Sequence, residues 1–378
     1  MNFRVVRHSE KEFAELKAPW EDLLARSDAD PLFMSWAWLF SWWEVWAPLL
    51  NLELILLGIY DDADRLVGVA PLYRHSSVQA FHFPLVRRLH FIGSAWRVRH
   101  SVRTEYMGFV AERGSEVDIA AAIFSALASK PWDELVALDV APDSRATLAT
   151  AAERLHDVKP LIRSQARGVA VLCSGDFDEW LASLGRNTRL KAFNRRSVFE
   201  KELGGYFKHW PDGLAGHSAF LETLNALHRK RWNKPCFDSL AVRFHLKFLS
   251  RLSDNQEAQM THLVINGETV SVLYDVRAGS RIYNLQAGFE EDLHKKLSLG
   301  TLHLGYAIEK AFLEKNAVEY DLLAGFGKNT FYKSHFNGRE VEFSNIHYTR
   351  SPVLRTAYAL QTVLPRRLVS FVNRSLRL

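Results

Sequence analysis

Apolar positions along this chain follow two spacings that alternate from segment to segment. Phe13, Leu16, Trp20, Leu23 and Leu24 recur at three and four and predict a helix over 13–26, closed by Asp30-Pro31. From Phe33 to Trp46 the apolar residues crowd together as Trp36, Trp38, Phe40, Trp42, Trp43 and Trp46, a helix with more than one buried face. Leu52–Tyr60 and Leu66–Tyr73 read as paired strands, with Asp61-Asp62-Ala63-Asp64 as their turn. Short strands are expected at 89–93 and 106–110, then an amphipathic helix at 117–129, a buried strand at 135–140 and a helix at 145–155.

The second half begins with a strand at 169–173 and a helix capped by Asp176. A basic helix is expected over 186–203, ending at Gly204-Gly205, with further helices at 217–232 and 242–253. Met260–Ile265, Glu268–Arg277 and Arg281–Gly288 predict an antiparallel meander with turns at Asn266-Gly267 and Ala278-Gly279. A glycine-bearing turn at 298–301, a helix at 302–315 and a strand at 320–323 complete it. The two halves share one order of elements, although their sequences do not repeat. That order predicts two α/β units in tandem, joined near 156–168, with no low-complexity linker between them.

Chemistry concentrates after the meander. Ser298, Leu299, Gly300 and Thr301 precede a helix, so backbone N–H groups and the helix dipole are offered there to an anion. The following strand places Tyr320 and Asp321 near that turn, and Asp321 is a candidate base whose carboxyl burial would raise. His228 and Trp232 lie four apart on one helix face, with Arg231 beside them, as candidate walls of an acceptor pocket. Arg186, Arg189, Lys191, Arg195 and Arg196 form either a solvated helix face or a phosphate-binding one.

Composition narrows the class. The chain has 378 residues, 48% of them hydrophobic, which is enough for two cores and excludes bulk disorder. Eleven Trp and 24 Phe indicate large aromatic cores or an aromatic groove wall. A net charge of +5 suits an anionic ligand or a membrane surface. The two cysteines form no disulfide scaffold and fit a cytoplasmic protein. No segment reaches the roughly 18 apolar residues of a membrane span. The sequence has no metal-ligand spacing, so no metal is expected, and no motif for sequence-specific nucleic-acid binding.

Several stretches together carry a family likeness. They are Phe33-Met-Ser-Trp-Ala-Trp-Leu-Phe-Ser-Trp-Trp, Leu66-Val-Gly-Val-Ala-Pro-Leu-Tyr, the basic run Arg189–Arg196 and Leu227-His-Arg-Lys-Arg-Trp. Tyr283–Phe289, Ser298-Leu-Gly-Thr-Leu, Tyr320-Asp-Leu-Leu-Ala-Gly and Tyr332-Lys333 complete the set. In this order the chain resembles GNAT-superfamily acyltransferases of the Fem-like branch, closest to those associated with cellulose or exopolysaccharide synthesis. The resemblance implies an N-terminal GNAT-like domain at 1–160 and a donor-binding domain at 169–340, each a mostly antiparallel mixed sheet flanked by helices. It also implies that a segment at 341–378 can return to the first domain.

By the same resemblance, acetyl-CoA or another acyl-CoA is the expected co-substrate, held by Ser298, Leu299, Gly300 and Thr301. Asp321 would act as base, Tyr332 would protonate the leaving thiolate and Lys333 would stabilise the oxyanion. His228, Arg231, Trp232 and Tyr283 would contact a small-molecule or glycan acceptor. The turn keeps one glycine of the Q/R-x-x-G-x-G/A loop, so aminoacyl-tRNA and an acyl carrier protein stand as alternative donors, and a non-catalytic scaffold as an alternative role. The tail 352–378 combines apolar residues at helical spacing with five arginines and no acid. It predicts a basic helix that either packs back on the first domain or makes peripheral contact with an anionic membrane.

Overall fold

The computed structural model of the chain describes residues 3–75, 86–95, 99–155, 157–314, 316–325 and 333–363. The chain forms two compact units, Met1–Gln165 with Phe343–Leu378, and Ala166–Glu342. Both crossings fall inside strands rather than in linkers. The described strands of the first half are β1 (Arg4–His8), β2 (Leu52–Tyr60), β3 (Leu66–His75), β4 (Arg88–Phe91), β5 (Val110–Ala111) and β6 (Glu134–Val140). They continue as β7 (Lys159–Leu172), β8 (Tyr206–His209), β9 (Gln256–Ile265), β10 (Glu268–Ala278), β11 (Arg281–Phe289), β12 (Glu319–Gly325) and β13 (Arg339–Thr349).

In the first unit the strand order is β1-β2-β3-β4-β6-β13, with β5 beside β3. Every neighbouring pair is antiparallel except β4 and β6. The aromatic helix runs over Trp36–Leu50 and starts where the Ser35 hydroxyl accepts from the Trp38 N–H. It ends at Asn51, whose φ of 51° breaks the helical path. Trp36, Trp38, Trp42, Trp43 and Trp46 are all buried, which explains an aromatic density no single face could hold. Buried indole N–H groups favour a hydrogen-bond partner, and three of them here have one. Trp20 donates to Met34 O, Trp36 to Phe13 O and Trp38 to Thr104 Oγ1, each at 2.8–2.9 Å.

The C-terminal helix Pro352–Val363 belongs to this unit. Leu354, Ala357 and Tyr358 are buried against Val86 and Leu161. The Tyr358 hydroxyl donates to the fully buried Glu134 at 2.6 Å, and His347 Nδ1 lies 2.9 Å from the same carboxylate. Those bonds, with Arg88, hold Glu134 down to about 2 against the opposing effect of burial. The tail from 364 onward lies outside the described residues.

The second unit has the order β8-β9-β10-β11-β12-β7, and only β11 and β12 are parallel. Position by position, this matches the first unit in order and in sense. The meander turns fall where expected, with Asn266 and Gly267 at φ of 51° and 83°, as a two-residue hairpin demands. The helix Leu299–Leu313 packs Leu304, Ile308 and Ala311 against Leu273, Ile282, Tyr320 and Leu322 of the sheet. Its buried His303 bridges Thr261 of β9 and Ser271 of β10, and burial pushes the imidazole down to about 3, so it is neutral.

Three expectations need correction. The basic run is not one α-helix. A short turn at Arg186–Arg189 leads into wider π-type turns at Leu190–Asn194 and Val198–Glu202. The helix Leu299–Leu313 presses on it, since a Cβ on Gly305 would strike the Ala192 carbonyl. Arg196 turns inward, its guanidinium 3.9 Å from the Tyr306 ring centre and paired with Glu309. The strand expected at 106–110 shrinks to Val110–Ala111, because Tyr106 has a φ of 54° and its neighbours bond elsewhere. The strand expected at 169–173 extends back to Lys159, through a stretch too exposed and polar to read as sheet.

Candidate active site

Strands β11 and β12 of the second unit part company along their length. β11 and β12 pair over Arg281–Glu319, Ile282–Tyr320 and Tyr283–Asp321, then run on to Phe289 and Gly325 without pairing to each other. Both strands bulge just past the last pair. Leu285 is the extra residue of β11 opposite Tyr274 and Asp275 of β10. Leu322 and Leu323 stand together opposite one residue of β7. Paired bulges bend both strands and increase their twist, so the parting is built into the backbone.

Leu323 has a φ of 59°, which costs a bulky residue on the order of 1–2 kcal/mol. Two predicted residues hold it there. Asp321, fully buried, accepts the Leu323 N–H at 2.7 Å. The Lys333 ammonium donates to the carbonyls of Leu322, Leu323 (3.1 Å) and Ala324 (3.4 Å). It therefore places a positive charge at the bulge of β12. At β11, His228 Nε2 lies 2.9 Å from the Ala287 carbonyl, so this nitrogen carries the proton. Burial lowers the His228 pKa and keeps the ring neutral.

The helix Leu299–Leu313 begins at the end of β11. Ser298 does not cap its backbone; its hydroxyl lies 3.1 Å from that of Thr301. The first turn holds no acid, and Lys295 and Lys296 precede it. Gly300 is needed for packing, because a Cβ there would strike the Phe289 ring. The Arg231 guanidinium sits 4.6 Å from the centre of that ring and 4.3 Å from that of Trp232. It also forms a bidentate pair with Glu291 at 2.7 and 2.9 Å. Arg231, Phe289 and Gly300 thus form a stack that seats the helix N-terminus.

The sequence-predicted residues divide accordingly. Asp321, Lys333, His228, Arg231, Ser298, Leu299, Gly300 and Thr301 lie along the parting strands or at the helix start. Trp232 is half exposed beside His228, their ring centres 4.8 Å apart. Tyr283 is wholly buried at the closed end of the divergence, beneath the surface expected of a pocket wall. Tyr332 lies outside the described residues.

Sequence reading missed Asp275. It is buried in β10, with Oδ1 accepting from Asn284 Nδ2 at 2.7 Å and Oδ2 from the Tyr320 hydroxyl at 2.8 Å. Burial pushes its carboxyl up to about 7. An acid inside the apolar run Val272–Val276 was the available signal.

The first unit parts its parallel strands in the same way but fills the gap with its own chain. β4 and β6 pair over Arg88–His90 and Glu134–Val136. Beyond them Thr104 donates to Gly93 O on one side, and Met107 N–H donates to Asp139 O on the other. Arg103 grips Asp139 at 2.6 and 2.9 Å. The helix that follows, Glu116–Ala128, carries Glu116 and Asp118 in its first turn, and those charges disfavour an anion there.

Residues 186–334 match the family described as Acetyltransferase (GNAT) domain, which spans the divergence and the helix start. The fold of the whole chain is similar to that of FemX, with a TM-score of 0.60 and 12% identity over 90% of this chain and 96% of that one. It is also similar to the C-terminal domain of a protein described as a putative lysylphosphatidylglycerol synthetase from Agrobacterium fabrum, with a TM-score of 0.52 and 8% identity over 94% and 96%. The structure of L-PGS from Bacillus licheniformis gives a TM-score of 0.51 and 10% identity over 93% and 96%. No curated protein matches the chain. Among the described residues, no group of three or more His, Cys, Asp or Glu is placed to hold a metal.

Proposed function

We propose that this chain, whose fold is that of the GNAT superfamily in its Fem-like form, is an acyltransferase that uses an acyl-CoA at the divergence of β11 and β12. One observation carries the reading. β11 and β12 stop pairing with each other after Tyr283–Asp321, and the ring of Phe289 at the end of β11 packs against Gly300 in the acid-free first turn of a helix, inside the segment matched by the GNAT family. The donor phosphates would meet the N–H groups of Leu299, Gly300 and Thr301. The pantetheine would lie between the strand edges, with the thioester carbonyl near Lys333.

The chemistry is direct transfer. An acceptor amine or hydroxyl attacks the thioester carbon, a C–N or C–O bond forms, the C–S bond breaks, and the proton leaves with the thiol. Lys333 would offset the charge gathering on the carbonyl oxygen. Asp321 would fix the bulge that aims Lys333. Its complete burial favours that supporting part over proton abstraction by direct contact. The chain's own thiols fit no covalent intermediate, because burial pushes both Cys173 and Cys236 up to about 12. Calorimetric titration with acetyl-CoA and longer acyl-CoAs tests the reading, and no binding at millimolar donor would end it. An aminoacyl-tRNA donor, favoured by the exposed Lys295 and Lys296, would instead show tRNA retention that falls steeply with salt. Binding of neither donor would leave the scaffold role.

The acceptor classes to screen are an exopolysaccharide or other envelope glycan, an amine, and a lipid headgroup. The fold likeness to the C-terminal domain of a putative lysylphosphatidylglycerol synthetase brings in the last. Membrane contact is part of this reading. The docked helix Pro352–Val363 turns Val353 and Leu360 outward, 62% and 44% exposed, and the chain beyond it adds four arginines and no acid. No described helix is long and apolar enough to cross a bilayer. Full-length protein should float with anionic vesicles and not with neutral ones, whereas a chain ending at Val363 should float with neither. Equal flotation of both forms would remove the membrane contact.

A further inference from the structure

The two units share more than strand order. Each parallel ladder opens on an arginine facing a glutamate in the same register, Arg88 opposite Glu134 and Arg281 opposite Glu319. Arg88 Nε donates to Glu134 at 2.7 Å, and Arg281 Nε lies 2.8 Å from Glu319. Both carboxylates are buried, Glu319 to 6% exposure, and each has a further partner from a strand or helix late in the chain. Arg339 of β13 reaches Glu319 at 3.0 Å, and Tyr358 and His347 reach Glu134.

A buried ion pair adds little net stability, since desolvation opposes the attraction. It does restrain position: Arg339 Nη2 donates a directed hydrogen bond to Glu319 Oε2, and the Arg281 guanidinium stands against Oε1 as an ion pair held by distance. The ladder between β11 and β12 has only three residue pairs, and parallel bonds are the weaker kind. A restraint at its closed end therefore governs how far the strands stand apart at its open end. That spacing sets how far His228, bonded to Ala287 of β11, stands from Lys333, bonded to the bulge of β12.

We propose that Glu319, clamped between Arg281 and Arg339, is a positioning residue that sets the width of the donor cleft. This rests on the acyl-CoA reading given above for the site itself. The first unit supplies an internal control, since its matching pair lies below a gap already filled by Thr104 and Met107.

The test compares Arg281→Met and Glu319→Gln with Arg88→Met. Thermal unfolding reads the structural loss, expected in all three. Donor affinity is expected to fall about tenfold in the first two, equivalent to ~1.4 kcal/mol, and to stay unchanged in Arg88→Met. The turnover number at saturating donor should change far less than affinity, and Arg281→Lys, which keeps a charge opposite Glu319, should recover part of it. Hydrogen exchange on the ligand-free protein reads the strands without any donor. Amides at 285–289 and 322–325 should exchange faster in Arg281→Met but not in Arg88→Met. Unchanged exchange there, or an equal loss of affinity in Arg88→Met, overturns the proposal. The exchange result stands whether or not acyl-CoA proves to be the donor, so failure of the donor reading is told apart from failure of this one.

Discussion

Replacing Asp275 by Asn should flatten the dependence of the second unit's stability on pH. Asp275 lies between β10 and the helix Leu299–Leu313, with burial the largest effect on its carboxyl and the Asn284 and Tyr320 hydrogen bonds opposing it. Its folded value of about 7 stands above the ordinary value of 3.8. A carboxyl raised on folding contributes its full stability below the unfolded value and loses it as pH rises through the folded value. The window is therefore about pH 4 to 7, and the loss accrues with rising pH. A gap of roughly three pH units at ~1.36 kcal/mol each gives about 4 kcal/mol. For a unit of this size that corresponds to a fall in Tm on the order of 10 °C.

The amide of the Asp275→Asn variant cannot titrate, and Asn284 can rotate its own amide to offer oxygen in place of nitrogen. Thermal unfolding of both proteins between pH 4 and 8 would show the wild-type curve falling relative to the variant. Parallel curves would refute the reasoning, because they would mean that Asp275 is ionised in the folded protein across the range.

Three further outcomes are expected. Gly300→Val should drive a side chain into the Phe289 ring, destabilise the second unit by about 1–3 kcal/mol and weaken donor binding, both readable by calorimetry. Lys333→Met should lower turnover more than it raises the donor KM if the ammonium acts on the carbonyl oxygen; the three β12 carbonyls it leaves predict some loss of Tm as well. Tyr358→Phe should destabilise the first unit by roughly 1.5–3 kcal/mol in urea unfolding, since a buried carboxylate loses its shortest bond.

Much of the fold was legible because its signals are local. The Asn266-Gly267 turn, the Asp61–Asp64 turn and the apolar spacing of the aromatic helix depend only on neighbours in sequence. What stayed hidden depends on distant ones. The first half of β7 carries Lys159, Arg163, Ser164 and Gln165 with little alternation, and β13 reads as a polar stretch until β6 is placed beside it. Asp321 and Lys333 stood out as reactive types. That both attach to one strained leucine follows only from the bulge, which no sequence period announces. The donor turn was found from Ser298 and Gly300, but the reason for the glycine was not: Phe289, eleven positions earlier, needs the space.

The duplication supplies a way to separate scaffold from site within a single chain. Features present in both units belong to the architecture: the six-strand order, the single parallel pair, the arginine–glutamate pair at its base, and a positive φ on the strand beyond it, 47° at Asp139 and 59° at Leu323. Features present in one unit are free to serve chemistry. By that criterion Lys333, His228 and the acid-free helix start stand apart, because the first unit has in their place a bonded segment and a helix start bearing Glu116 and Asp118. Anions are attracted to helix N-termini, and two carboxylates in the first turn cancel that attraction. The same comparison classes the buried Asp275 with function or regulation rather than architecture, since its counterpart strand in the first unit, β3, carries no acid. Asp275 borders the bulge that bends β11, so its proton and the shape of the cleft are expected to be coupled.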